Sequence, residues 1–413
     1  MTASTPAAPA EALRPVAPSE RVAVLDVLRG FALYGVLLAN TVTWYSGRAF
    51  LPGAEIASRT GPVDVAARTV IKFLVDGKSM TLLSFLFGVG FAVQLTRAEE
   101  QGREVLPVYL RRLAILIAIG LCHATFIWWG DILTSYALAG SLLILFRRSS
   151  ARALIVWAVA LSIVPQLVAS APPVAAFLQR VTPGPGDHEA WRAQVLAAIG
   201  GDDYVHLMGI HLRQAFYHVA GASPAYLPWT VGRFLLGYLV GRSLWLHDAA
   251  DHLPKFRKLL GWGIGLGVAC AAVTIPLRVM MRQGATLHPG IRIALMIPEE
   301  IGLLATAAAY LAALVLLMQR PAWRRRLTMT LAPVGQMALT SYLSQSVICT
   351  FVFYGWGLGL VGRVGPALCI PLTLAIFAAQ ILAIRFWLRY FRFGPAEWLS
   401  RSLTYGRPQP MRR

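Results

Sequence analysis

The chain has 413 residues, of which 57% are hydrophobic and only 14% charged, with a mean hydropathy of +0.59. A soluble domain of this length needs more charge to cover its surface, and apolar runs of about 20 residues recur along the chain, so the composition is that of a polytopic membrane protein. The formal net charge of +19 does not indicate nucleic acid, because the basic residues sit between the apolar runs, the positive-inside bias, and not on one face.

Residues 1–20, rich in Ala and Pro, are expected to form a disordered cytoplasmic tail. The apolar run behind them is too long and too interrupted by polar residues for a cleaved secretory signal. Residues 21–45 predict the first membrane helix, and it carries Asp26, Arg29 and Asn40 within the span. An ionised group at membrane depth costs roughly 3 kcal/mol unless it is paired. Asp26 and Arg29 are three apart and share a helix face. They read either as a site for an anionic group arriving from the cytoplasm, or as a pair fastening two helices, with Arg29 snorkelling to the headgroups.

Residues 46–77 are mixed, with an amphipathic piece over 63–75 suited to the membrane surface. Spans two to five are predicted at about 79–95, 113–128, 132–146 and 153–169. Gly88 and Gly90 in the second permit close helix contact. Arg97, Arg103, Arg111 and Arg112 mark a cytoplasmic loop, as do Arg147, Arg148 and Arg152. Between them, Trp128-Trp129-Gly130-Asp131 makes a tight hairpin at the outer interface. Residues 171–225 form the longest non-apolar stretch and are expected to be an extracytoplasmic loop, in which His206, His211 and His218 suit a solvated helix face.

Spans six to ten follow at about 227–246, 259–280, 297–318, 331–354 and 367–390. The seventh has a stripe of Gly261, Gly263, Gly265 and Gly267 suited to close packing. Ten spans with both termini in the cytoplasm satisfy every basic cluster, including Lys255, Arg257 and Lys258, and Arg320 with Arg324, Arg325 and Arg326. The expected architecture is an all-α bundle: a five-helix half over 21–170, the outer loop 171–225, a second five-helix half over 226–391 and a basic cytoplasmic tail over 392–413. Thr134-Ser135-Tyr136 recurs as Thr340-Ser341-Tyr342 in the opposite direction, which fits either an inverted repeat or chance.

His123 lies deep in the third span, and histidine is the side chain best suited to exchange protons near neutral pH. Asp131, just past the span, suits both an orienting acid and the N-cap of the next helix. A hydrogen-bonded histidine in a helix interface beside a capping aspartate gives the same sequence. Arg233 in the sixth span faces Glu299 and Glu300 of the eighth as partners across the bundle or as ligands for a polar acceptor. Gln336, Ser341 and Gln345 lend the ninth span a polar stripe that serves a site or an interhelical interface. Arg111 and Arg112 suit the phosphates of a nucleotide-like donor, although any inside loop is basic. No Walker-type phosphate loop is present. Cys122, Cys270, Cys349 and Cys369 lie within apolar runs and read as small buried hydrophobes, and no His or Cys spacing indicates a metal.

LDVLRGFALYGVLLAN, RRLAILIAIGLCHATFIWWGDILTSYALAGSLLILFRR, and PVGQMALTSYLSQSVICTFVFYGWGLGL with FRFGPAEWLSRSLTYG resemble the YeiB family of bacterial inner-membrane proteins, catalogued mainly as a domain of unknown function. The resemblance covers nearly all of the chain after residue 20. More distantly, LDVLRG in a first membrane helix is similar to two groups of transmembrane acyltransferases, the bacterial O-acyltransferases of envelope sugars and the group containing lysosomal heparan glucosaminide N-acetyltransferase. That similarity implies acyl-CoA or acetyl-CoA as a cytosolic donor and a small-molecule or glycan hydroxyl or amine as acceptor across the membrane. The O-acyltransferases place a catalytic histidine eleven residues beyond the motif arginine. That position is Asn40 here, which binds a carbonyl but is no base at neutral pH.

On this reading Arg29, Arg111 and Arg112 receive the donor. His123, oriented by Asp131, deprotonates the acceptor or carries the acyl group, and Asn40 and Arg233 polarise the carbonyl. Asp26, Glu299 and Gln345 complete the polar lining. The alternative is a non-catalytic carrier of a lipid, small metabolite or peptide, and a third is a scaffold without turnover. Membrane lipids are expected partners and nucleic acid is not; a homodimer is among the assemblies the sequence allows.

Overall fold

The computed structural model describes residues 22–100, 104, 106–181, 184–243, 245, 246, 248–282 and 284–413. The expected tail over 1–20 and Arg103 lie outside the described residues. Seventeen α-helices follow in chain order among them: α1 Ala23–Asn40, α2 Gly53–Ser58, α3 Pro62–Leu74, α4 Lys78–Glu100, α5 Leu106–Phe126, α6 Leu133–Leu143, α7 Ala151–Ser170, α8 Pro172–Val181, α9 His188–Gly200, α10 Tyr204–Arg242, α11 Leu253–Arg282, α12 Pro289–Ala294, α13 Met296–Met318, α14 Pro321–Gln336, α15 Ala338–Phe353, α16 Pro366–Tyr390 and α17 Pro395–Tyr405. The described residues contain no β-strand, only a single antiparallel bridge between Phe391 and Arg412. The fold is that of a polytopic all-α membrane protein, the architecture in which every backbone polar group can be satisfied within its own segment.

Seven helical stretches are long and apolar enough to cross a bilayer by length and composition, and α6 and α15 belong to shorter apolar ones. Every span expected from the sequence corresponds to a helix: α1, α4, α5, α6, α7, α10, α11, α13, the α14–α15 pair and α16. In a lipid solvent an apolar face need not be hidden, so burial reports position rather than sequence. The first span buries 67% of its apolar window, the α7 and α11 windows 17% and 11%. α1 is therefore central, and α7 and α11 are peripheral.

Glycines permit the closest approaches. A Cβ at Gly335 of α14 would lie 1.8 Å from the Asp26 carbonyl oxygen, and one at Gly30 of α1 would lie 2.2 Å from that of Leu331. The same holds between α4 and α10, where Gly88 faces Phe234 and Gly237 faces Phe85. Gly90 has nothing within 4 Å, and in the α11 stripe only Gly263 and Gly267 pack, on α13.

Four expectations are corrected. The ninth span is not one helix: Met337 (φ −109°, ψ 42°) breaks it into α14 and α15. Residues 171–225 are largely helical, holding α8, α9 and the first half of the 39-residue α10. His211 is buried, because α10 lays it against the ring of Tyr354 and not toward solvent. Cys122 is exposed on α5, so only Cys349 and Cys369 are buried, with Cys270 intermediate.

Candidate functional site

The C-terminal end of α5 carries a buried polar group. α5 ends at Phe126, the chain turns through Trp128, Trp129 and Gly130, and Asp131 precedes α6. This hairpin brings Asp131 Oδ1 to 3.0 Å from His123 Nδ1, while Oδ2 accepts from the Thr134 backbone N–H at 2.8 Å and so caps α6. His123 is 1% exposed and Asp131 6%. Aromatic rings enclose the imidazole: Tyr342 of α15 at 5.1 Å and Trp128 at 6.4 Å, with Tyr45 stacked obliquely on Trp128 at 4.4 Å. The Tyr342 hydroxyl accepts from the Ile132 N–H, and the Tyr45 hydroxyl donates to Ser346 Oγ. Tyr45 is placed by a π-helical turn, Thr41–Tyr45, that extends α1.

Buried polar atoms nearly always have partners. Among the described residues, six buried side-chain N or O atoms have none, and five of them belong to His123 (Nε2), Trp128 (Nε1), Thr134 (Oγ1) and His211 (Nδ1 and Nε2). His211 stands in electrostatic range of His123, its ring beside the Thr125 backbone but out of hydrogen-bond geometry. Unspent hydrogen-bonding capacity is thus concentrated at one place in the bundle.

Arg233 belongs to a second buried group. Its Nη2 donates to both Glu300 carboxylate oxygens at 2.6 and 2.7 Å, Nη1 to the Trp229 carbonyl and Ser162 Oγ, and Nε to Thr81 Oγ1. The guanidinium carbon lies 3.3 Å from the Trp229 ring centre, and Trp229 Nε1 donates to Glu300. Arg233 is 0% exposed, and its donors tie α4, α7, α10 and α13 together. Tyr226 stands in electrostatic range of both Arg233 and Asp131, and Tyr342 of Asp131, Tyr226 and Tyr136, so tyrosines bridge the two groups. Glu299 points elsewhere, paired with Arg278 at 2.6 Å.

Toward the N-terminal end of α5, Arg29 Nη1 of α1 donates to Asp26 Oδ1 at 2.9 Å. Arg112 stands in electrostatic range of Arg29, Tyr109 and Tyr405, and Arg111 donates to the Thr404 carbonyl of α17 at 3.4 Å. Eleven residues of α5 separate Arg112 from His123, about 16 Å along the helix axis. Asn40 closes α1, half-buried. Gln345 Nε2 donates to Gln380 of α16 at 3.1 Å, an interhelical bond apart from the His123 group.

The structure therefore gathers His123 with Asp131 and gathers Arg29, Arg111, Arg112 and Asp26 at the opposite end of α5. It leaves Arg233, Glu299 and Gln345 in contacts of their own. Sequence reading missed Tyr45, Trp128, Tyr226 and His211 as walls of the polar group. Tyr45, Trp128 and Tyr226 signalled only as aromatic rings at span ends, where interfacial anchors look the same, and His211 only as one histidine of a non-apolar stretch.

The family model described as "Protein of unknown function (DUF418)" matches residues 240–407. Over 97% of its length the chain is 34% identical to the Bacillus subtilis "Uncharacterized protein YxaH", covering 98% of that protein. It is 27% identical over 96% of its length to the "Uncharacterized 39.9 kDa protein in amylase 3'region" of Bacillus acidopullulyticus, covering 97% of it. It is 29% identical over 93% of its length to the Escherichia coli "Uncharacterized protein YeiB", covering 96% of it. With full-length similarity on both sides and the polytopic helical architecture, the chain belongs to the DUF418 family as a YeiB-like member.

Proposed function

We propose that the protein is an acyltransferase of the bacterial inner membrane, moving an acyl group from cytosolic acyl-CoA to a hydroxyl or amine acceptor within or beyond the bilayer. The observation that supports this reading is the buried His123–Asp131 pair. A carboxylate at Nδ1 holds the proton on that nitrogen and leaves the Nε2 lone pair free, and Nε2 has no partner in its aromatic enclosure. Nε2 takes the acceptor's proton as its oxygen or nitrogen attacks the thioester carbonyl. The C–S bond breaks, the imidazolium returns the proton to the leaving sulfur, and an ester or amide and the CoA thiol result.

The Trp128 indole N–H supplies a donor for the carbonyl oxygen, in place of Arg233, whose guanidinium is held by Glu300. Arg29, Arg111 and Arg112 suit the donor's phosphates, and the long pantetheine arm of acyl-CoA is suited to the distance up α5. A carrier is the second reading, favoured by the break at Met337, since transporters place binding sites at interrupted helices.

The test uses the full chain in proteoliposomes with acetyl-labelled acetyl-CoA and extracted bacterial envelope material. Label is expected in a covalent product, and His123→Ala is expected to slow its appearance at least about 100-fold while inserting normally. Label that stays in acetyl-CoA with the wild-type chain, or an unaffected His123→Ala variant, sinks the proposal. Accumulation of an unaltered solute inside the vesicles supports the carrier instead.

A further inference from the structure

The last two turns of α16 carry charge on a face that otherwise looks into lipid. Leu382, Arg385, Phe386, Arg389 and Tyr390 follow the spacing that puts residues on one side of a helix, and all five are exposed. Leu382 is 68% exposed, Phe386 61% and Tyr390 56%, while Phe377, Gln380 and Ile384 are buried on the opposite side. The apolar row continues toward the middle of the helix through the exposed Leu374 and Ala378. α16 is long and apolar enough to cross a bilayer, and it ends at Tyr390. Arg385 and Arg389 therefore stand on its lipid side within about 8 Å of the helix end, the depth from which a guanidinium snorkels to the phosphates.

The chain end brings three more arginines to the same place. Phe391 bridges to Arg412, the Arg392 N–H donates to the Met411 carbonyl at 2.9 Å, and the Arg413 N–H donates to that of Tyr390 at 3.1 Å. These backbone bonds fix Arg392, Arg412 and Arg413, all exposed, at the end of α16. Trp387 Nε1 donates to the Phe393 carbonyl and Trp398 Nε1 to that of Gln409, so the fold-back is a built turn. Little acid offsets this charge. From residue 301 to 413 the sequence has twelve arginines, no lysine and one carboxylate side chain, Glu397, whose oxygens accept from Leu339 and Thr340. Among the described residues, no carboxylate pairs with any of the five arginines at the end of α16.

We propose that this end of α16 is a binding site for anionic phospholipid. The acyl chains lie along Leu382, Phe386 and Tyr390, and Arg385, Arg389, Arg392, Arg412 and Arg413 hold the headgroup phosphate. A cation on a lipid-facing surface needs an anion within reach, and the bilayer offers phosphate at that depth. Guanidinium is the fitting donor, since its planar fork holds two phosphate oxygens at once. A zwitterionic lipid brings its own ammonium against five cations, so the surplus selects a headgroup of net negative charge. The arginines assigned above to the acyl donor, Arg29, Arg111 and Arg112, are not among the five.

The test is native mass spectrometry of the purified full chain in mild detergent, titrated with phosphatidylglycerol or with phosphatidylcholine of the same acyl chains. The first phosphatidylglycerol is expected to stay bound at a concentration at least about tenfold below that needed for phosphatidylcholine. The variant combining Arg385→Gln, Arg389→Gln, Arg392→Gln, Arg412→Gln and Arg413→Gln is expected to bring the two lipids within about twofold of each other. Arg412→Gln with Arg413→Gln alone, which leaves α16 untouched, is expected to weaken the preference at least about threefold and serves where the larger variant does not fold. Equal retention of the two lipids by the wild-type chain, or an unchanged preference in either folded variant, means annular lipid only and overturns the proposal. Release of the retained lipid by micromolar free coenzyme A marks the arginines as a site for a soluble nucleotide and overturns it as well. The readout needs no acyl transfer, so its failure is separate from any failure of the catalytic reading.

Discussion

Arg233 shows how the solvent decides what a charged residue does. In a bilayer a lone guanidinium is expelled or neutralised, yet Arg233 is fully enclosed because Glu300 accepts two of its bonds and Thr81, Ser162 and the Trp229 carbonyl take the rest. Removing one partner strands the other. Arg233→Met is expected to destabilise by about 3–5 kcal/mol, and the double variant Arg233→Met with Glu300→Gln to recover much of that loss. Thermal unfolding in detergent measures both; a single variant as stable as the wild type contradicts the fastening role. His123 is the opposite case. Its Nε2 and the neighbouring Trp128 and His211 nitrogens keep their hydrogen-bonding capacity unspent, which structure alone does not require.

The element that stands apart is the interrupted ninth span. Breaking a helix leaves the first N–H groups of its second half without partners, and in an apolar setting these need an acceptor. Glu397 of α17 supplies one: its Oε1 accepts from the Leu339 and Thr340 N–H groups at 2.7 and 3.0 Å, and its Oε2 from the Thr340 hydroxyl. Burial pushes the Glu397 carboxyl up, against these hydrogen bonds, which favour its charged form. α17 is thus a working part of the α15 N-terminus and no mere tail, and the bridge from Phe391 to Arg412 ties the chain end back onto α16. Glu397→Ala is expected to lose about 1–2 kcal/mol and to raise hydrogen exchange at Leu339 and Thr340, with Glu397→Gln retaining part of the protection. Unchanged exchange in the alanine variant counts against the cap.

At the scale of the molecule, α5 connects two ends of different character. Arginines and a docked helix lie at one end, and a histidine with a carboxylate under aromatic rings lies at the other. The arrangement requires that these ends face opposite sides of the membrane. In a cysteine-free background, Ser149→Cys is expected to react with an impermeant maleimide only from the cytoplasmic side, and Asp187→Cys only from the other. Labelling of both from one side overturns the topology on which the direction of transfer rests.

The sequence by itself determined the class and the approximate places of the apolar helices, and it carried the resemblance that the comparisons then showed. Hydrocarbon thickness fixes helix length and basic residues mark the inner connections, and both are written in linear order. The sequence offered His123 and Asp131 as a pair beside a histidine in a helix interface and a capping aspartate, and the structure shows both the contact and the cap. Only the tertiary structure decided the rest. Arg233 met Glu300 and not a substrate carbonyl, Glu299 turned to Arg278, Gln345 joined Gln380, and His211 left the expected water face for a buried place within electrostatic range of His123. Each of these contacts joins residues distant in the chain through the rotation of one helix against another. Lipid solvates an apolar face as well as a protein interior does, so a membrane helix is apolar all round and its periodicity carries no trace of which face looks inward.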